Sequence, residues 1–96
     1  RALLDLSGSE ALKQYHRETL GKVAEYDSTN NGQLIKTMEV LVDSAGNRSQ
    51  ASKALYIHRN TLAYRIKQIE KLSGLSLSNP ADLVTVAILL KVRPFI

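Results

Sequence analysis

The chain contains no cysteine and no tryptophan, one phenylalanine and two prolines. Without cysteine there can be no disulfide framework, no thiolate nucleophile and no Cys-ligated zinc, so a zinc finger is excluded. Glycine is sparse as well, and none of the five sits in a phosphate-cradling loop or a G-x-S-x-G elbow. Neither His16 nor His58 stands in an H-E-x-x-H or comparable ligand spacing. The longest apolar stretch near an end, Val84 to Val92, is interrupted by Thr85 and Lys91 and falls far short of the roughly 20 residues of a membrane span. The few aromatics offer no stacking platform of the kind that single-stranded RNA needs. These absences argue against an enzyme, a metal or cofactor site, a membrane segment and an RNA-binding sheet.

What is present suits one compact domain over 1–96: 44% hydrophobic and 23% charged residues bury enough apolar surface to fold without staples. The chain starts at Arg1 with neither Met nor a signal-peptide pattern, which suggests a piece of a longer polypeptide. The net charge of +4 is unevenly spread. Residues 1–45 carry 5 basic and 7 acidic side chains, whereas residues 46–71 carry Arg48, Lys53, Arg59, Arg65, Lys67 and Lys71 against Glu70 alone. A short positive block on a neutral-to-acidic body is the footprint of a polyanion-binding face. A solvated basic helix is the plainer alternative.

The apolar spacing predicts an all-α fold, a small bundle of four to five helices. Residues 1–32 form an N-terminal helix and turn, 33–73 a helix-turn-helix core and 79–92 a C-terminal helix. Arg1 to Leu6 read as the end of a preceding helix, and Ser7 with Glu10 as a capping box. Leu12, Tyr15, Thr19, Leu20 and Val23 mark a first helix from about Ser9 that steps at Gly21 and continues to Tyr26. Asp27-Ser28-Thr29-Asn30-Asn31-Gly32 is a run of turn formers. It resembles the start of a calcium loop, but its twelfth place holds Met38 where a bidentate Glu is required. Leu34, Met38, Leu41 and Val42 predict a helix from about Gln33 to Ser44, with Gly46 at its left-handed C′ position. Asn47 caps the next helix, Arg48 to Leu55, with Gln50 completing a capping box. Leu62, Ile66 and Ile69 carry a helix from His58 to Ser73, which Gly74 ends. Asn79, Pro80 and Asp82 open a last helix to about Lys91, apolar enough for burial on more than one side.

Residues 47–66 have the pattern of a helix-turn-helix: Ala51 and Leu55 face the core, Ile57 closes a tight break at Tyr56-Ile57, and Leu62 and Ile66 anchor the second helix. The outward face of that helix then holds His58, Arg59, Asn60, Ala63, Tyr64 and Lys67. Arg can chelate guanine and Asn adenine in the major groove.

The run Ile57-His58-Arg59-Asn60-Thr61-Leu62-Ala63-Tyr64-Arg65-Ile66 resembles the helix-turn-helix of the purine-catabolism and carbohydrate-diacid regulator family of bacterial transcription factors. Matching features extend from about Leu20 onward, including Tyr26-Asp27, Gly46-Asn47 and Leu72-Ser73-Gly74. More distantly, the stretch is similar to the factor for inversion stimulation. That second similarity implies that His58 and Arg59 face bases while Asn47, Ser49, Thr61 and Tyr64 lie near phosphates. The nucleoid protein is basic where this chain has Ala63 and Tyr64.

Together these readings nominate His58, Arg59, Asn60 and Ala63 for base contacts, and Asn47, Arg48, Ser49, Thr61, Tyr64, Arg65 and Lys67 for phosphates. Each has a plainer role: His58 and Asn60 as local backbone partners, Thr61 and Tyr64 as packing residues, Arg65 as a partner within the fold. The implied partners are double-stranded DNA, a second copy of the chain and an upstream effector-sensing region, with no cofactor and a cytoplasmic location. The rival is a helical protein–protein module whose basic block is only a solvated surface.

Overall fold

A computed structural model describes residues 10–96. Its helices are α1 (Glu10–Glu18), α2 (Leu20–Asn30), α3 (Leu34–Asp43), α4 (Arg48–Leu55), α5 (Arg59–Ser73) and α6 (Pro80–Val92), followed by a 3₁₀ turn at Arg93–Phe95. No strand occurs among the described residues. The all-α expectation holds, with six helices among the described residues in place of four to five. The expected capping box at Ser7 and the helix end at Arg1 to Leu6 lie outside the described residues.

The extra helix comes from a break in the N-terminal one. Thr19 leaves helical geometry (ψ −93°) and its hydroxyl donates to the Tyr15 carbonyl at 2.8 Å. Such back-bonding competes with the helix ladder. The step therefore falls at Thr19, not at Gly21. Gly21 still contributes, because a β-carbon there would stand 3.1 Å from the His16 carbonyl oxygen. Tyr15, expected in the core, is exposed, while Thr19, Leu20 and Val23 are buried.

The expected polar turn at 27–32 is mostly helix. α2 continues through Asn30 and ends at Asn31, which is left-handed (φ 49°). The hydroxyls of Ser28 and Thr29 donate to the Glu25 carbonyl and the Asn30 amide to that of Tyr26. Thus the groups that usually make turns are spent along the helix itself. Asp27 then caps α3 from a distance, its carboxylate accepting the N–H groups of Leu34 and Ile35.

Helix α3 is central, packing against α2, α4, α5 and α6. Leu34, Met38 and Leu41 lie on its buried side with Thr37. Burying a side chain of the size of Leu or Met stabilises by about 1.5–3 kcal/mol, so this helix organises the core. Ala45 sits at C′ (φ 52°), with Gly46 following at φ 81°. The N–H of Gly46 reaches the Leu41 carbonyl (2.8 Å) and that of Ala45 the Val42 carbonyl (3.0 Å). This is a Schellman motif displaced by one residue from the expected position of Gly46.

At the other end of the chain, Gly74 is left-handed and closes α5, as expected. Asn79 accepts from the N–H groups of Ala81 and Asp82, and Pro80 occupies the first helical position of α6. The connection between α5 and α6 also buries Leu75 and Leu77. Helix α6, expected to be covered on more than one side, buries only Val86 and Leu89 fully. Val84 and Ile88 remain exposed. Ile88 lines a cleft whose walls also include Glu39, Val42 and Asp43 of α3 and Lys91 of α6.

Candidate nucleic-acid interface

Helices α4 and α5 and the turn between them form the helix-turn-helix. Asn47, in extended geometry, accepts the Gln50 N–H at 2.9 Å and starts α4. Ala51 is fully buried where α4 meets its neighbours. A larger side chain there would overpack the contact at about 1–3 kcal/mol. Helix α4 ends at Tyr56 (φ 56°), and the Ile57 N–H donates to the Ser52 carbonyl at 3.1 Å. Ile57 is half-buried against the core, which fixes where α5 begins.

His58 is the N-cap of α5, its Nδ1 accepting the Asn60 N–H at 3.0 Å. A ring nitrogen that accepts carries no proton, so in the neutral imidazole Nε2 is the donor. Leu62, Ile66 and Ile69 are buried beneath α5, as their spacing requires. On the opposite side Asn60, Ala63, Tyr64, Lys67 and Lys71 are exposed at helical intervals, with Arg59 and Thr61 beside them.

All the nominated residues except Arg65 are exposed. Arg65 is half-buried and its guanidinium donates to the Thr37 hydroxyl at 3.3 Å. It is directed at α3, away from the other nominees. Arg48 lies over the junction of α4 and α5. One shallow groove beside it is lined by Ser49, Ser52, Arg59 and Ala63, and another by Ala63, Tyr64, Lys67 and Glu70. The Arg48 guanidinium also donates to the Ser78 hydroxyl, 3.1 Å away in the connection to α6.

The face is electrostatically one-sided. Arg48, Arg59, Lys67 and Lys71 form no ion pair among the described residues. The single acid of the positive block, Glu70, accepts the Leu77 N–H at 2.8 Å and so serves the α5–α6 connection. Groups that the spacing did not single out are Ser52 in the first groove, Ser78 beside Arg48, and Tyr56, which is 94% exposed in the turn. A left-handed, non-glycine residue would be the signal for Tyr56, but it emerges only from the backbone.

A buried small residue at a helix crossing, a tight turn and a second helix with a polar, cationic outer face define the helix-turn-helix class of domain. Within that class the match is specific: residues 34–92 fit the family described as the PucR C-terminal helix-turn-helix domain, and the chain belongs to it. It is 33% identical over 94 residues to the purine catabolism regulatory protein of Bacillus subtilis, covering 98% of this chain and 18% of that protein. It is 32% identical over 79 residues to the DNA-binding transcriptional activator AdeR of the same organism, covering 82% of this chain and 19% of the relative. Over a shorter stretch of 53 residues it is 45% identical to the carbohydrate diacid regulator of Escherichia coli, covering 55% of this chain and 14% of the relative. The chain thus spans less than a fifth of the length of these relatives. No solved structure gives a significant match.

Proposed function

We propose that this domain binds double-stranded DNA sequence-specifically, as the output module of a bacterial transcriptional regulator, with α5 in the major groove. The observation that carries the reading is the outer face of α5, where Arg59, Asn60, Ala63, Tyr64 and Lys67 are all exposed and the cations are unpaired among the described residues. Membership of the PucR C-terminal helix-turn-helix family supports the reading.

In this reading Arg59 and Asn60 offer bidentate contacts to guanine and adenine, His58 presents its Nε2 donor to a base acceptor, and Ala63 lies against a thymine methyl group. Asn47, Arg48 and Ser49 bring the start of α4, with its free N–H groups, to a phosphate. Thr61, Tyr64 and Lys67 hold the backbone along α5. Arg65 is reassigned as a strut between α5 and α3, because its guanidinium is engaged by Thr37. No cofactor is required. The setting is the cytoplasm; no helix among the described residues is long and apolar enough to cross a membrane. The relatives' much greater length supports an upstream effector-sensing region in the intact protein.

Selection from a random duplex pool, followed by titration of the recovered site, tests the reading. Arg59→Ala should weaken binding to that site by about 1–3 kcal/mol and flatten the preference at one base pair. Affinity should also fall steeply with salt, each neutralised phosphate adding about −0.9 to the log–log slope. Absence of duplex binding, or a response flat in salt, leaves the protein–protein module as the better account.

A further inference from the structure

The turn of the helix-turn-helix contains a residue that the fold does not explain. Tyr56 has φ 56° and ψ 43°, a left-handed conformation that glycine adopts freely and a β-carbon penalises. Its backbone is held there by its own N–H, which bonds the Lys53 carbonyl, and by the Ile57 N–H, which bonds that of Ser52. Burial does not compensate, since the side chain is 94% exposed. The phenol also has no hydrogen-bond partner among the described residues. An aromatic thus occupies a position where backbone conformation favours glycine, and gains neither packing nor a bond within the chain. Backbone strain kept without structural return points toward a contact outside the molecule.

Location narrows what that contact is. Tyr56 lies two residues before His58, the cap of the helix whose N-terminal end carries Arg59 and Asn60. Lys53 lies one turn earlier on α4, exposed and in no ion pair among the described residues. In helix-turn-helix docking the second helix enters the major groove by its N-terminal residues while the first crosses the backbone, so the turn between them is expected near the phosphate edge of that groove. We propose that the Tyr56 hydroxyl donates to a phosphate oxygen at this edge, anchoring the N-terminal end of α5. The proposal rests on the DNA-binding reading. A phosphate positions the helix but carries no base information, so Tyr56 sets grip and orientation and leaves base preference to its neighbours.

The test compares the 96-residue chain with Tyr56→Phe, Tyr56→Gly and Arg59→Ala on the duplex recovered by selection and on a scrambled duplex. Tyr56→Phe keeps the ring and removes only the donor. It should weaken both complexes by about tenfold, as loss of a hydrogen bond to a charged group does, with no change in salt slope because the substitution removes no cation. Tyr56→Gly should bind at least as weakly while melting at a higher temperature, since it relieves the left-handed strain. A purely structural tyrosine cannot give that opposition of stability and affinity. Equal affinity of Tyr56→Phe and the unsubstituted chain overturns the proposal while Arg59→Ala still shows a loss. If the unsubstituted chain binds neither duplex, the DNA reading itself has failed and this inference falls with it.

Discussion

The Arg65 guanidinium reaches across from α5 to the Thr37 hydroxyl of α3, 3.3 Å away, while the Thr37 hydroxyl itself donates to the Gln33 carbonyl at 2.7 Å. Thr37 is fully buried, so this short chain of polar groups fixes α5 to the central helix α3 from beneath. Arg65→Gln should lower the unfolding free energy by about 1 kcal/mol, the net worth of an ordinary hydrogen bond. Its salt slope on DNA should equal that of the unsubstituted chain. A slope shallower by about 0.9 would place Arg65 on a phosphate instead.

The capping of α3 gives a second expectation. Asp27 accepts from Leu34 N–H at 3.0 Å and from Ile35 N–H at 2.8 Å, and a β-carbon at Gly32 would stand 2.5 Å from its Oδ1. Loss of a capping oxygen costs about 0.5–2 kcal/mol. Asp27→Ala should fall in that range, and Gly32→Ala should too because it displaces the same carboxylate. The two losses should not add, since Gly32→Ala has no carboxylate to displace once Asp27 is gone. Additive losses in chemical denaturation would mean that Gly32 acts through its own backbone.

Both relationships show what the amino-acid order could and could not reveal. Signals confined to a few neighbours were legible: Asn47 before α4, Gly74 after α5 and Asn79-Pro80 before α6 all act through bonds to adjacent backbone. The outer face of α5 was legible for a similar reason, because Leu62, Ile66 and Ile69 define its inner face by period alone. Asp27-Ser28-Thr29-Asn30 misled because the side chains that make turns can equally bond back along a helix. Leu75 and Leu77 lie in a connection without helical period, and α6 is so evenly apolar that no period says which side faces solvent. Arg65 and Tyr56 depend on tertiary placement and backbone conformation, neither of which composition records.

Acid should weaken the fold through His16. Burial and, to a lesser degree, the nearby Arg93 guanidinium hold its pKa below the ordinary value of 6.5, and its Nε2 is buried without a hydrogen-bond partner. Lys13 and Arg17 also line this site. With the folded pKa below the unfolded one, the unfolded chain binds more protons between the two values. Stability from this group is therefore complete above about pH 6.5 and declines as pH falls toward the folded value. Melting temperatures measured from pH 7.5 to 5 should fall, and His16→Gln should reduce the fall. An unchanged pH profile in that variant would assign the acid sensitivity to other groups.

We propose the exposed face of α6 as the contact with a second copy of this chain. Val84 and Ile88, one turn apart, are 59% and 55% exposed, and the adjoining cleft places the acids Glu39 and Asp43 opposite Lys91. A surface bearing both signs around an apolar centre can complement itself about a twofold axis. Two copies would present two α5 helices to half-sites about 34 Å apart, and one such helix reads too few base pairs for genomic specificity. Ile88→Glu changes only an exposed side chain, so its stability should stay within about 0.5 kcal/mol of the unsubstituted chain. It should sediment as a monomer, bind an isolated half-site unchanged, and lose about a hundredfold or more on a duplex carrying both half-sites. If the unsubstituted chain is itself monomeric on the two-site duplex, and Ile88→Glu binds that duplex as well, α6 has no part in pairing.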